Sequence, residues 1–476
     1  MYVIQQEELF SFEQLMGMQS ESKYSAILEH LPIGMILHAI NKASHRGRPE
    51  NINTRAMIYS LVIGKMEHML FVKDIIHRLS TNAEFRQLCR FTGSDRIPSK
   101  ASYSRLITKL HRCGVLSDVQ DQLVIQSISE GFIRGETLAV DSSHLEAWDR
   151  NPKLTKPKKE TPAIEDEPSL LPEKEVSVPM PSKPSKPKRS KRGRVPKAEA
   201  EAWRQQVEAY EASLSIFEQK VENMLPFSYE DLVAEMPQHP STGAKGERGR
   251  IMYWYGYKAN LLVDTRSQYI VSGEFCSGHV HDQRLAIVLL KRLQKKLPML
   301  QVKHVLADKG YDCLAVYRQI RELGAFPLIQ FIHLTENLPE GMDGNFSPIC
   351  QAGHPYRYDS FDSKYETLKY TRPKECEGCP MEHTGCQKIH KIRIEQDIRR
   401  HTVPARGSES FKVLFKRRTA IERVFAYLKL YFGMGSTRLR NTRSRVDFDL
   451  SCLAYNLCKY ALDRLNQQLN KVKQAS

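Results

Sequence analysis

From Thr137 onward, apolar runs and amphipathic stretches follow one another in an order that few folds can accept. TLAVD (137–141) reads as a short apolar strand ending in a carboxylate. After a long interruption, MYWYGYKANLLVD (252–264) and YIVSGEFC (269–276) read as two strands joined by the hairpin-length turn TRSQ. RLAIVLLKRLQKKL is an amphipathic helix with Asp282 as its expected cap, and VKHVLAD (302–308) is a strand that again ends in an aspartate. A short helix at about 313–323 and the strand FPLIQFI (326–332) complete the series. A hairpin meander followed by β-α-β units gives a mixed sheet with helices on its faces, so the expected class is mixed α/β. No internal repeat is present.

The interruption is itself informative. Residues 151 to about 196 are rich in Pro, Lys, Ser and Glu and culminate in KPSKPKRSKRGR. Such a composition cannot bury enough apolar surface to order itself, and disorder is expected. Its basic half could follow a phosphate backbone, or serve only as a solvated linker. A helix is expected at about 197–223. The insertion therefore falls inside the sheet-forming unit rather than between two domains.

Residues 1 to about 130 read as helical, with Leu61, Val62, Met66 and Met69, then Ile75, Ile76 and Leu79, then Leu106, Ile107 and Leu110 at helical spacing. The breaks fall at Gly47–Pro49 and Gly93–Pro98, where His45, Arg46, Arg48, Arg96, Lys100 and Arg105 gather. Ser99 is placed to cap the helix containing Tyr103 to Leu110. A helix N-terminus with hydroxyls and cations is a phosphate clamp, or simply an ordinary capped surface helix.

Seventy-one Lys and Arg against 55 Asp and Glu give a formal charge of +16, spread along the whole length. That excess points to a polyanionic partner, most naturally nucleic acid. No apolar run is long enough to span a membrane, and the first residues lack a basic leader followed by an apolar core. Cys89, Cys113, Cys276, Cys313, Cys452 and Cys458 are scattered singly, as thiols of a reducing compartment are. A cytoplasmic, nucleoid-associated protein is expected.

In FKRRTAIERVFAYLK (415–429), Arg418, Glu422 and Lys429 stand at offsets of minus four, zero and plus seven, which stack on one helical face. Ile421, Val424, Phe425, Leu428 and Phe432 form the apolar stripe beside them. Alone, the row could be a solvated salt-bridge face. Asp141 and Asp308 at two strand ends alter that reading. Three carboxylates from separate elements can meet at one sheet edge and hold two divalent cations, as phosphodiester cleavage requires. Asp312 lies close to Asp308, but Asp308 follows the apolar strand directly.

These segments resemble the DDE transposases of bacterial insertion sequences. AVDSSHLEA is similar to the first-aspartate strand of that family, and LADKGYD to its second-aspartate block. Arg418, Glu422 and Lys429 fit the helix signature of Tyr, two residues, Arg, three residues, Glu, six residues, Lys. The tyrosine position is Phe415, which keeps the ring and loses the hydroxyl. WYGYKANLLVD and HVHD resemble the second strand and the start of the next helix, and His144, His279, His281 and Asp282 read mainly as caps or packing groups.

The resemblance covers most of the chain outside 151 to about 235. It implies a ribonuclease-H-like sheet flanked by helices, an all-α N-terminal domain and a cysteine-rich insertion. It further implies Asp141, Asp308 and Glu422 as ligands of two Mg²⁺ (or Mn²⁺), with Arg418 and Lys429 on phosphates. Lys258, Arg48, Arg96, Lys100 and Arg105 are further candidates for DNA contact.

Cys350, Cys376, Cys379 and Cys386, in and before CEGCPMEHTGC, offer four thiolates that would satisfy tetrahedral zinc, or are four reduced thiols. His354, His383 and His390 could substitute. Zinc would hold together an insertion with little apolar content of its own.

The expected organisation is a helical DNA-binding domain at 1–130 and a catalytic unit at 136–335, interrupted at 151–196 and 197–223. A cysteine-rich insertion follows at 340–395, and C-terminal catalytic helices at 410–470. The implied activity is cleavage at the terminal inverted repeats of an element in double-stranded DNA, with joining of the 3′-OH to target DNA by a homodimer or larger assembly. The alternatives are a DNA-binding protein derived from such an element and a nuclease without strand transfer.

Overall fold

The computed structural model describes residues 11–41, 52–151, 184–185, 196–247, 249–332, 338–380 and 387–475. The central sheet contains β1 (Thr137–Glu146), β2 (Ser241–Glu247), β3 (Arg250–Asp264), β4 (Ile270–Ser277), β5 (His304–Ala307) and β6 (Phe326–Ile329). Strands run in the order β2–β3–β1–β5–β6, with β4 also paired to β3. β1, β3 and β4 are antiparallel, whereas β1, β5 and β6 are parallel. A meander continued by parallel strands is the ribonuclease-H-like arrangement, and the mixed α/β fold expected from the sequence is the one observed.

The apolar runs explain the centre. Leu138, Ala139 and Val140 of β1, Leu261 to Val263 of β3 and Val305 to Ala307 of β5 are buried, as strands covered on both faces must be. The TRSQ turn forms as expected: Asp264 Oδ2 accepts from Ser267 N at 2.9 Å, and Gln268 takes φ +63° to close the hairpin. Gly256 lies where β3 passes from β2 to β1. A Cβ there would fall 2.1 Å from the Leu145 carbonyl oxygen, so no side chain fits.

β2 was not foreseen. Ser-Thr-Gly-Ala-Lys-Gly-Glu has no apolar alternation, and its strand character comes from pairing with the N-terminal half of β3. Asp282 does not cap the following helix, Asp282–Lys296. His281 is the N-cap, its Nδ1 accepting from Gln283 N at 3.4 Å, because Asp282 is drawn into an ion pair with Lys258.

Helices fill the N-terminal region as expected. Ser99 Oγ accepts from Ser102 N at 3.2 Å and caps the Lys100–Cys113 helix. This region is joined to the sheet by a buried charge network. Arg292 donates to Asp121 at 2.7 Å and to Glu274 on β4 at 3.1 Å; Arg445 donates to Glu274 at 3.1 Å and to Asp449 at 3.0 Å. Glu274 is fully buried, and both of its oxygens are thereby paired.

The insertion at 340–395 has more apolar substance than expected. A second sheet, β7 (Arg357–Asp362), β8 (Thr367–Thr371) and β9 (Ile389–Arg393), encloses Tyr356, Leu368, Tyr370, Ile392 and Ile394, with Val403 and Ala405.

Residues 150–236 form a separate compact unit. Within it the Lys197–Ser213 helix ends ten residues earlier than expected, because Ser215 N and Oγ both bind the Glu218 carboxylate, at 3.2 and 3.0 Å, and start a new turn. The expected disorder at 151–196 falls almost wholly outside the described residues.

Candidate active site

β1 is longer than its apolar run. β5 pairs only with Thr137 to Ala139, while β3 accompanies β1 as far as Glu146. Asp141 therefore sits not at a strand end but just past the point where β1 loses one of its two neighbours. Continuing the β1–β5 register by two residues sets Asp141 beside Asp308. Asp308 leaves β5 and caps the next turn, its Oδ1 accepting from Gly310 N at 2.8 Å.

Two carboxylates at a half-covered edge repel each other and lose solvent. Burial, and secondarily the charge of Asp308, push the Asp141 carboxyl up to about 6, although the Ser142 N–H and Arg418 oppose the shift. Asp312 is differently placed. Its Oδ2 accepts from Arg399 and from Ile332 N, both at 2.9 Å, and its Oδ1 accepts from Arg399 Nε at 3.2 Å, so it is committed to holding the fold.

The stretch 415–429 is not one helix. Glu409–Lys416 and Thr419–Phe432 are separated by a turn at Arg417 and Arg418, and Arg418 is the N-cap of the second helix. Phe415 belongs to the first and stacks on Phe411, with centroids 5.6 Å apart. The expected stripe holds: Ile421, Val424, Phe425, Leu428 and Phe432 are buried. Each such side chain contributes roughly 1.5–3 kcal/mol to docking the helix.

Arg418 then reaches two ways, donating to Glu422 at 2.5 Å and standing 3.6 Å from Asp141. Glu422 is thus linked to the aspartate pair through a guanidinium rather than packed against it. Among the described residues, no group of three His, Cys, Asp or Glu is close enough to share a metal.

Of the cations, Lys429 is exposed along its length, and partial burial of its ammonium first and the like charge of Lys245 second hold it below its usual range. Lys245, on β2, also acts on Asp141. It escaped the sequence reading because its strand did. Lys258 is a correction: its ammonium donates to Val280 O and Asp282 Oδ1, both at 2.9 Å, and is turned inward rather than offered to a phosphate. Arg96, Lys100 and Arg105 are exposed around the start of the Lys100–Cys113 helix, with Arg105 donating to Ser102 Oγ at 3.4 Å. Arg48 lies outside the described residues. Also unforeseen were Trp148 and the run Arg438, Arg440, Arg443; an R-x-R-x₂-R spacing after the Glu422 helix was the signal available.

His144 packs on Trp254, and His279 Nδ1 hydrogen-bonds Ser241 Oγ at 2.8 Å, so both serve packing and turn roles. Cys350 and Cys376 are buried in the same apolar cluster and Cys379 is half-buried, whereas Cys386 lies outside the described residues.

Two family models match the sequence. One, described as "Transposase domain (DUF772)", spans residues 12–109. The other, described as "Transposase DDE domain", spans residues 233–457 and so contains Asp308 and Glu422 but not β1. No curated protein matches. Among solved structures, a piggyBac transposase synaptic complex with hairpin DNA aligns over 94% of this chain and 76% of its own, with 11% identity and a TM-score of 0.37. With one transposase model on its N-terminal helices and another on the sheet and helices that surround the two aspartates, the chain belongs to the DDE transposases.

Proposed function

We propose that this chain is an active transposase of an insertion sequence. It binds terminal inverted repeats in double-stranded DNA, hydrolyses the phosphodiester at each element end and joins the freed 3′-OH to target DNA. The observation that carries this reading is the Asp141–Asp308 pair at the open sheet edge, with Arg418 linking Glu422 to it.

The donor set is all oxygen and carries excess negative charge, which suits Mg²⁺ or Mn²⁺. Asp141, Asp308 and Glu422 would hold the metal ions, which supply activation of the attacking oxygen and stabilisation of the leaving one. Arg418 and Lys429 hold the phosphates beside the cut. Their hold is electrostatic and independent of base sequence. Arg96, Lys100 and Arg105 clamp flanking backbone at the helix N-terminus. Two ends must be handled together, so a homodimer or larger assembly on DNA is expected. Cys350, Cys376, Cys379 and Cys386 would close a structural zinc site.

The test is purified protein with Mg²⁺ and a supercoiled plasmid bearing the element's ends. Excision with insertion into a target supports the reading. Binding without cleavage would make the chain a DNA-binding derivative, and hydrolysis without joining a nuclease. Glu422→Ala should abolish cleavage while leaving end binding within a few-fold; full cleavage by that variant would remove Glu422 from the metal site.

A further inference from the structure

Beyond the far end of β1 lies a cleft that the acidic edge does not use. It encloses about 520 Å³ and is walled by Phe71, Trp148 and Ile107. Trp148 is 45% exposed, unusual for the largest apolar side chain. Phe71 meets its ring edge-to-face at 5.7 Å, and the Arg438 guanidinium lies 4.6 Å from its centroid.

Around this ring stand Lys73, Lys100, Arg440 and Arg443. Among the described residues, none of these four cations, nor Arg438, has a carboxylate partner. Arg443 donates only to Ser104 Oγ, at 3.2 Å, and Arg438 Nε is buried without a hydrogen-bond acceptor. A buried donor left unmet is costly unless something arrives to meet it.

The segment that carries Arg438, Arg440 and Arg443 is anchored at Thr437 and Asn441. Thr437 N donates to Glu146 O at 3.0 Å, and Asn441 N donates to Asp149 Oδ2 at 3.0 Å, which sews the segment to the end of β1.

Several cations without carboxylate partners call for more than one anionic group, and an indole left 45% exposed calls for a planar ring. A paired base within a duplex presents no face to stack on; a base out of the helix does. We propose that this cleft holds an unpaired nucleotide of the DNA strand, its base on Trp148 and its neighbouring phosphates on Lys73, Lys100, Arg440 and Arg443. Five residues of strand carry the chain from Asp141 to Glu146, roughly 17 Å, before the bend at Trp148, so this nucleotide lies several steps from the cleaved bond. The proposal rests on the DNA reading above.

The full-length protein would be titrated, by fluorescence anisotropy, with a labelled oligothymidylate and with a fully paired duplex of the element's end. Trp148→Ala should weaken oligothymidylate binding about ten-fold and Arg440→Glu at least as much, with Trp148→Phe close to the parent. Duplex affinity of Trp148→Ala should stay within two-fold. Oligothymidylate should quench tryptophan fluorescence in the parent, and that quenching should vanish in Trp148→Phe while binding persists.

Unchanged oligothymidylate binding by Trp148→Ala, or an equal loss on the paired duplex, would overturn the proposal. Duplex binding without any oligothymidylate binding sinks this proposal alone, whereas binding of neither sinks the DNA reading with it. Where oligothymidylate binding is weakened as expected, a duplex with a single-stranded overhang that is also sensitive to Trp148→Ala assigns the nucleotide to a flanking strand. A blunt duplex with a mismatch that is sensitive alongside oligothymidylate assigns it instead to an extruded base.

Discussion

Asp141 bears a charge that its surroundings resist. Its carboxyl, pushed up to about 6 by burial and by Asp308, is protonated in both folded and unfolded chains below pH 4. Between about pH 4 and 6 the unfolded chain gives up this proton while the folded one keeps it, so stability falls across that window and levels off above it, where both are ionised. In metal-free buffer at pH 7.5, Asp141→Asn should therefore raise the midpoint of thermal unfolding, by roughly 3 kcal/mol in stability, and most of the gain should be gone by pH 4. Differential scanning at the two pH values checks this; an equal shift at both would mean that the charge of Asp141 is not the cause. At this scale the sequence was readable where chain direction decides. Asp308 follows an apolar run, whereas Asp312 is turned toward Arg399, which lies 87 residues away and leaves no local trace. The bridging of Asp141 and Glu422 by Arg418 was equally hidden, since spacing shows which residues share a helix face but not which partner intervenes.

The elements meet through Arg292, which ties the Val115–Ser129 helix to β4 and the Asp282–Lys296 helix. Its side chain is 4% exposed and its partner Glu274 has none. Arg292→Met leaves buried carboxylates short of a counter-charge, so urea unfolding should show a loss of about 3–5 kcal/mol. A loss below 1 kcal/mol would show the network to be dispensable. The cysteine-rich insertion is a milder case. Metal analysis should find about one zinc per chain, and Cys376→Ser should lose it. Because β7 to β9 enclose an apolar cluster of their own, the loss should loosen the insertion, seen as faster amide exchange there, without unfolding the central sheet. Strands with apolar runs were legible at this scale. β2 and the turn at Arg417–Arg418 were not: pairing partners create the first, and the second interrupts a run of good helix formers.

For the whole molecule, the +16 charge predicts steep salt dependence. If Arg96, Lys100, Arg105, Arg418 and Lys429 each neutralise one phosphate, the logarithmic slope is about −4.5, and affinity for an element end falls about 500-fold between 50 and 200 mM salt. A slope shallower than about −2 would exclude most of these contacts. The chain's layout also has a consequence in time. β1 is central to the sheet, yet β3 follows it by roughly a hundred residues and β5 comes later still. At about 5–20 residues per second, a ribosome delivers Arg250 some 5–20 s after Glu146. Throughout that interval Leu138, Ala139 and Val140 have no neighbouring strand to pair with. Asp141, next in line, breaks the apolar run as a charged gatekeeper would, so the carboxylate proposed for DNA cleavage also guards the newborn strand against self-association.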